Sequence, residues 1–171
     1  KVYDSMVAVR KEVEMLDAYM SLMCYRYSDI IYRSEIEPGA LDIEIPNFIL
    51  QPLLENSLMH GLKDRRYQGT IILKIYRNEQ DKNELNIWLI DDGIGIPDDK
   101  MAELNAYNAK DSEALYRVQT RTEGDRTHLG VINVISRLKL YYQENAEVIY
   151  MRNETGGTTV KIKIKTASEE T

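Results

Sequence analysis

The chain has 171 residues, 43% of them hydrophobic, which is enough for one domain with a buried core. Its formal net charge is −6 and no cluster of lysine and arginine stands out, so the composition gives no support to a nucleic-acid partner. Cys24 is the only cysteine, which excludes an intrachain disulfide, and no apolar run approaches the ~20 residues of a membrane helix.

The first predicted element is one long helix with a heptad apolar stripe. Its apolar residues lie alternately four and three positions apart over four repeats: Val2, Met6, Val9, Val13, Leu16, Met20, Met23, Tyr27 and Ile30. So narrow and regular a stripe favours a partner helix over packing on the helix's own domain.

Two short alternating runs, residues 32–37 and 41–45, then flank the turn signal at Pro38 and Gly39. A second helix is predicted over residues 47–61, because apolar residues recur there at helical spacing and Gly61 stands where a helix would stop.

That second helix places three polar side chains, Glu55, Asn56 and His60, in an otherwise apolar pattern. A buried amide needs partners, and a magnesium ion bridging phosphates is one candidate. For the charged residues 63–66 that follow, a solvated loop is the plainer interpretation. The alternative is that Lys63 reaches a phosphate.

Residues 70–77 and 85–90 alternate as strands around a polar loop, which predicts a hairpin whose second strand ends at Asp91. A carboxylate accepts hydrogen bonds only, which suits an exocyclic amine such as that of adenine. Gly93 and Gly95 allow a tight turn and a close backbone approach. An ordinary Asp-Gly turn remains an equal alternative for this segment taken alone.

Residues 98–127 contain few large apolar residues and no sustained period, so we expect a functional lid or a disordered insertion. Short helical turns are expected at Met101, Leu104, Leu115 and Val118. An amphipathic helix starts near Gly130, where backbone N–H groups and the helix dipole favour an anion. Residues 148–151 and 159–165 predict the closing strands.

Three segments, taken together, strongly resemble the Asn box and the two glycine boxes of the ATP-binding domain of bacterial sensor histidine kinases, within the GHKL ATPase superfamily. They are Leu54-Glu55-Asn56-Ser57-Leu58-Met59-His60-Gly61, Asp91-Asp92-Gly93-Ile94-Gly95-Ile96-Pro97 and Gly130-Val131-Ile132-Asn133. The subfamily of the autolysin sensor and its carbohydrate-sensing relatives is the most similar. The resemblance implies an α/β (α+β) fold, a two-layer sandwich of a mixed sheet and helices, preceded by one long heptad helix.

The resemblance also implies roles for individual residues. Asp91 would bind the adenine amine, Gly93 and Gly95 would allow close approach, Ile96 would contact the ring, and Thr158 would supply a hydroxyl. Asn56 would hold Mg2+, and Glu55 would orient the magnesium or phosphate shell, with a solvated helix residue as an even alternative. The remaining expected contacts to ATP are His60, Lys63, Leu129 and Gly130.

In that family, residues 1–30 correspond to the second helix of the dimerisation and phosphoacceptor hairpin, residues 31–166 to the catalytic domain with a lid at 98–128, and 167–171 to a tail. The phosphoacceptor histidine is expected before Lys1, so we do not expect this fragment to autophosphorylate alone. The implied full protein is a membrane sensor that forms a homodimer through the N-terminal helix and acts on a response regulator. Its catalytic part is expected to be cytoplasmic, and any membrane segment to lie outside this fragment.

Two positions depart from the family pattern. His128 stands where a glycine usually precedes Gly130 by two places, and Thr155 replaces the first glycine of the last box. These departures keep open a catalytically silent dimerisation or sensor module. A hydrolysing ATPase of the gyrase or chaperone type is disfavoured, because position 52, where that group has a glutamate, is Pro52.

Overall fold

The computed structural model describes residues 6–121 and 129–166. The expectations about His128 and the tail 167–171 therefore lie outside the described residues. Within them the chain forms these strands and helices in order: β1 (Met6–Ala8), α1 (Val9–Arg26), β2 (Ile30–Ile36), β3 (Glu44–Pro46), α2 (Leu50–Ser57), β4 (Gly69–Arg77), β5 (Glu84–Asp91), α3 (Asp98–Ala106), α4 (Ser112–Arg121), α5 (Leu129–Tyr142), β6 (Ala146–Arg152) and β7 (Thr158–Lys165).

A five-stranded mixed sheet forms one layer, with strand order β2-β4-β5-β7-β6. β2 pairs with β4 in parallel, and the other neighbours are antiparallel. The predicted hairpin is confirmed as β4 and β5, with Leu73 opposite Leu89 and Ile71 opposite Asp91. This register places Asp91 at the end of a central strand.

Helices form the second layer, on one face of the sheet. The apolar side chains of the two layers meet between α1, α2 and strands β4, β5 and β7, where the contacting residues are Leu16, Leu50, Leu53, Leu73, Ile87, Leu89, Val160 and Ile162. All of these side chains are buried. The predicted two-layer α/β sandwich is therefore confirmed.

The predicted N-terminal helix is wrong at both ends. Residues Met6–Ala8 form a strand that pairs with β3, and Ile30 is already the first residue of β2. The apolar stripe between these limits packs on the chain's own domain, since Leu16 and Met20 are each 1% exposed. At these positions the heptad spacing thus serves the domain's own core, and a partner helix stays a prediction. The division of the chain at residue 30 remains a prediction.

The predicted helix over residues 47–61 is shorter in the structure and changes type. α2 covers Leu50–Ser57, a π-helical turn follows over Leu58–Leu62, and Lys63–Arg65 form a 3-10 turn rather than a plain loop. The helix begins late because Phe48 has φ +57°, outside helical geometry. A π-helical turn widens the spiral and often marks a functional site.

The segment 98–121 is ordered as two helices, so the expectation of a structureless insertion is wrong for these residues. Its buried side chains are Leu104, Tyr107 and Leu115, two of which were expected in helical turns. Asn105 bridges to the edge strand β6, accepting a hydrogen bond from the Tyr150 N–H at 2.7 Å and donating to the Tyr150 carbonyl at 2.9 Å. Asn108 makes the same pair of bonds with Val148. Among the described residues, no helix combines the length and apolar character that crossing a membrane requires.

Candidate functional site

A small cavity lies between the helical layer and the ends of β5 and β7. Its lining residues come from α2, the π-helical turn, the strands β5, β6 and β7, and the loop after β5: Asn56, Ser57, His60, Gly61, Asp91, Gly95, Ile96, Tyr150, Thr158 and Val160. The cavity thus brings together Asn56, His60, Asp91, Gly95, Ile96 and Thr158 of the residues expected at a nucleotide site. The other four lining residues, Ser57, Gly61, Tyr150 and Val160, were not expected as contacts to the nucleotide.

Asp91 is the buried polar centre of this cavity, with 3% of its surface exposed. One carboxylate oxygen, Oδ1, accepts hydrogen bonds from the N–H groups of Gly93 at 2.9 Å and Thr158 at 3.2 Å. Burial raises the pKa of this carboxyl group, and these two bonds and one from the Ser57 side chain oppose that rise. The carboxylate is therefore held in a fixed orientation at the cavity wall.

Glycines allow the backbones around Asp91 to meet. A Cβ added at Gly93 would lie 2.3 Å from the Gly61 carbonyl oxygen, and one at Gly157 would lie 2.1 Å from the Asp91 carbonyl oxygen. The Ile94 N–H also donates to the Gly61 carbonyl at 3.0 Å. Any side chain at these two glycines would push the π-helical turn or β7 away from Asp91, so both are required by protein packing itself.

A side chain in the turn between β6 and β7 holds the backbone of Asp91. The Asn153 side-chain amide donates to the Asp91 carbonyl at 2.9 Å, and its Oδ1 accepts from the N–H and the hydroxyl of Thr155. Thr155 has an ordinary backbone conformation, whereas Gly156 beside it has φ +86°. Threonine in place of the family's first glycine therefore fits this turn. Asn153 was not among the predicted site residues, although an asparagine shortly before two glycines is a turn signal.

The change from α2 to the π-helical turn positions the polar residues of the Asn box. Asn56 is the penultimate residue of α2 and His60 lies in the π-helical turn, and both are half-buried in the cavity wall. Glu55 does not line the cavity, and its Oε1 accepts a hydrogen bond from the Gln51 side chain at 3.1 Å. Of these two neighbours, only Asn56 therefore lines the cavity.

Other expected residues lie outside the small cavity. Lys63 is exposed at the start of the 3-10 turn, and Leu129 and Gly130 are the first two residues of α5. A Cβ added at Gly130 would make an ordinary contact, 3.6 Å from the Pro52 Cβ. Packing between the described residues therefore gives no reason for a glycine at position 130.

Two residues that the sequence did not reveal as important hold the start of α2. The Ile49 N–H donates to Glu12 Oε1 at 3.0 Å. Arg137 of α5 donates to the Asn47 backbone carbonyl at 2.6 Å and to the Asn47 side chain at 2.9 Å. Helices α1 and α5 therefore both position the helix that carries Asn56.

The donor groups in the cavity determine whether a magnesium ion fits this site. Among the residues that the structure describes, no group of three or more His, Cys, Asp and Glu side chains is placed to hold a metal. Magnesium is commonly bound by one or two protein oxygens, with phosphates and waters as the other ligands. The side-chain oxygen of Asn56 at the cavity wall fits that mode.

Comparison with known proteins agrees with this geometry. Residues 42–168 match the family model for the histidine kinase-, DNA gyrase B- and HSP90-like ATPases. Sensor protein LytS of Oceanobacillus iheyensis is 34% identical over 159 residues, which are 92% of this chain and 25% of LytS. The sensor histidine kinase YpdA of Escherichia coli is 25% identical over 164 residues, 94% of this chain and 25% of YpdA. The chain thus spans about a quarter of the length of these relatives.

A solved structure has a similar fold. The catalytic domain of the histidine kinase ThkA superposes with a TM-score of 0.64 at 13% identity, over 95% of this chain and 98% of that domain. This likeness confirms the predicted sandwich of a mixed sheet and helices. The chain belongs to the histidine kinase-, DNA gyrase B- and HSP90-like ATPase family and is homologous to the LytS sensor proteins.

Proposed function

We propose that this chain is the ATP-binding catalytic part of a sensor histidine kinase, and that it donates the γ-phosphoryl group of ATP to a histidine outside these 171 residues. The observation that carries the proposal is the setting of Asp91. Its buried carboxylate is fixed by the N–H groups of Gly93 and Thr158, in a cavity that also contains the polar residues of the Asn box.

The base end of ATP belongs at Asp91. A buried acceptor-only carboxylate binds an amine donor strongly, because few competing water molecules reach it. Ile96 supplies an apolar contact for the ring, and the Thr158 hydroxyl is a further polar group in the same cavity. Since burial raises the pKa of Asp91, ATP affinity should weaken as the pH falls towards that pKa and the carboxylate gains a proton.

The phosphates belong nearer Asn56, with Lys63, Leu129 and Gly130 as their further contacts. Asn56 would hold Mg2+, which when bound neutralises phosphate charge. The first backbone N–H groups of α5 have no partner within their own helix and face an anion favourably. His60 would contact the nucleotide from the π-helical turn, and Glu55 would act only on the surrounding polar shell.

Phosphoryl transfer depends mainly on positioning and charge neutralisation, so the site needs no residue that forms a covalent intermediate. In the transfer step the bond between the γ-phosphorus and the bridging oxygen breaks, and a bond from phosphorus to a histidine ring nitrogen forms. ADP leaves and the histidine gives up its ring proton. The role of this chain is to bind and orient the donor.

The wider assembly belongs to the same proposal. The names of LytS and YpdA describe sensor proteins, and this supports a response regulator as the next phosphoryl acceptor. We further propose a homodimer formed through the N-terminal helix, in a membrane sensor whose catalytic part is cytoplasmic. Residues 98–128 would form the lid over the nucleotide.

The proposal is tested first by calorimetric titration of the chain with Mg-ATP, and then of Asp91→Asn. Loss of a charge-assisted hydrogen bond should weaken binding by about ten- to a hundredfold. Asp42→Asn is the matched control, because the Asp42 side chain is 87% exposed and does not line the cavity. A folded chain that does not bind Mg-ATP, or an Asp91→Asn variant that binds equally well, would contradict the nucleotide site.

A second measurement tests the reaction. Radiolabelled γ-phosphoryl should pass from ATP to the histidine-bearing helical hairpin of the full protein when that hairpin is supplied with this chain. Steady release of free phosphate without transfer would instead support a hydrolysing ATPase.

A further inference from the structure

The side chain of Tyr150 has an unusual position in the cavity. It lines the same cavity as Asp91 and Thr158, and only 2% of the residue is exposed. Its hydroxyl oxygen is buried, and none of the described residues makes a hydrogen bond to it. A buried hydroxyl without a partner costs free energy, so such a group calls for an explanation.

The orientation of Tyr150 is fixed by its backbone. Its N–H and carbonyl are both held by the side chain of Asn105, at 2.7 and 2.9 Å, and the residue lies in β6 between its partners in β7 and α3. The neighbouring buried residues of β6, Ala146 and Val148, share its face of the sheet. Tyr150 therefore presents its hydroxyl to the helical layer, where the cavity lies.

The hydroxyl also has the right protonation state to act as a donor. Burial raises the pKa of Tyr150 far above neutral pH, so the group keeps its proton. Asp91 can only accept hydrogen bonds when ionised, and a neutral phenol can donate. The two side chains thus offer opposite hydrogen-bonding functions in one cavity.

We infer that the Tyr150 hydroxyl donates a hydrogen bond to a ring nitrogen of the bound adenine and contributes to selection of the base. This inference rests on the proposed function, since it requires ATP in the Asp91 cavity. Asp91 accepts from the exocyclic amine, and Tyr150 donates to an acceptor on the ring. Together they select a base that carries an amine and an acceptor in that arrangement.

The test is Tyr150→Phe, which removes only the hydroxyl. We expect affinity for Mg-ATP to fall about three- to tenfold, the effect of one neutral hydrogen bond. We expect the stability of the ATP-free chain to stay equal or to rise, because an unpaired buried hydroxyl is removed. A purely structural role would instead lower stability and leave affinity unchanged.

Tyr32→Phe is the matched control. The Tyr32 hydroxyl is also buried, and none of the described residues makes a hydrogen bond to it, but it lies on β2 and does not line the cavity. Removing it should leave Mg-ATP affinity within twofold of the unmodified chain. An equal loss of affinity in both variants would overturn the inference.

Adenine analogues identify the atom. The 1-deaza, 3-deaza and 7-deaza forms of ATP each replace one ring nitrogen by C–H. One of them should bind the unmodified chain more weakly, and Tyr150→Phe should cause no further loss with that analogue. An equal further loss with all three, or no loss with ATP itself, would overturn the inference. If Asp91→Asn still binds ATP normally, the proposed site has failed instead.

Discussion

The carboxylate of Glu12 accepts a hydrogen bond from the backbone N–H of Ile49 at 3.0 Å and thereby joins α1 to the start of α2. Glu12 is 1% exposed, although the charged residues around it, Arg10, Lys11 and Glu14, are exposed. The first N–H groups of a helix have no partner within that helix, and a carboxylate satisfies them well. Because α2 carries Asn56, this one bond links the position of the N-terminal helix to the proposed nucleotide site.

Replacing Glu12 by alanine should therefore destabilise the chain. The change leaves a buried helix end without its acceptor and should cost about 1–3 kcal/mol in the free energy of unfolding. Urea denaturation measures it, and Glu14→Ala on the exposed face of α1 is the control. Equal stabilities of the two variants would show that the Glu12 contact contributes nothing.

Glu12 also predicts a pH dependence. Burial raises the pKa of its carboxyl group above the ordinary value of 4.5, more than the N–H groups of residues 48–50 and the charge of Arg137 lower it. Its stability contribution is thus fully present below pH 4.5 and is lost as the pH rises through the folded-state pKa. The pKa of Glu37 is shifted in the opposite direction, because hydrogen bonds from Arg77 lower it, so its contribution to stability is lost as the pH falls.

A difference between two proteins isolates this effect. The unfolding free energy of the unmodified chain minus that of Glu12→Gln should fall between pH 4 and pH 7, because glutamine mimics the protonated acid at every pH. The contribution of Glu37 is the same in both proteins and cancels. A difference that is constant or rises with pH would mean that the pKa is not raised by burial.

The approach of β7 to Asp91 predicts unequal effects at two neighbouring glycines. Gly157→Ala places a Cβ 2.1 Å from the Asp91 carbonyl oxygen and should cost about 3 kcal/mol while also weakening ATP binding. Gly156→Ala meets no atom within 4 Å and should cost only about 1–2 kcal/mol, the strain of its φ of +86°. Urea denaturation measures the loss of stability in both variants, and calorimetry measures their affinity for ATP. A larger loss of stability in Gly156→Ala than in Gly157→Ala would contradict the proposed packing.

Sequence patterns predicted the elements whose apolar periodicity serves this domain's core. The hairpin β4–β5, helix α5 and the strands β6 and β7 were expected within one or two residues of their bounds. The N-terminal stripe has the same quality of signal, and its buried residues pack on the domain itself, whereas a partner helix in a homodimer stays a prediction. A heptad pattern shows that a helix buries one face, and it cannot show whether the covering surface belongs to the same chain.

Some residues of the cavity could be predicted from the sequence, because a polar side chain at their position has few other chemical explanations. Asp91 after a strand and Asn56 in an apolar helix stood out, and both line the cavity. The sequence did not draw attention to Glu12, Asn105 or Tyr150. Their hydrogen bonds join residues that are 37 or 45 positions apart in the chain. Such partners depend on the packing of α1, α3 and β6, and local sequence carries no record of it.

The link between α3 and the sheet edge supports a further prediction. Asn105 and Asn108 each make one donor and one acceptor bond to the backbone of β6, so their side chains continue the hydrogen-bonding ladder. Asn105→Ala and Asn108→Ala should each cost about 1–3 kcal/mol, because part-buried backbone groups of β6 lose their partners. The double variant should cost less than the sum, since the first change already loosens α3. Strict additivity in thermal or urea unfolding would contradict this cooperation.

The role of Asn56 is best tested through magnesium. In the unmodified chain, Mg2+ should raise the affinity for ATP over that measured in the presence of a chelator. Asn56→Ala should bind magnesium-free ATP about as well as the unmodified chain and lose most of the gain that magnesium brings, because its amide oxygen is the proposed protein ligand.

Glu55→Gln is the matched control for this measurement, because it alters the adjacent residue while keeping its size. Glu55 does not line the cavity and is already bonded by Gln51, so the magnesium effect should persist in this variant. If Glu55→Gln abolishes the magnesium effect and Asn56→Ala does not, the metal ligand is Glu55, and α2 must rotate to bring this side chain into the cavity. If Asn56→Ala weakens the binding of magnesium-free ATP and Glu55→Gln does not, Asn56 contacts the nucleotide itself, and the half-buried amide binds the phosphates without the metal.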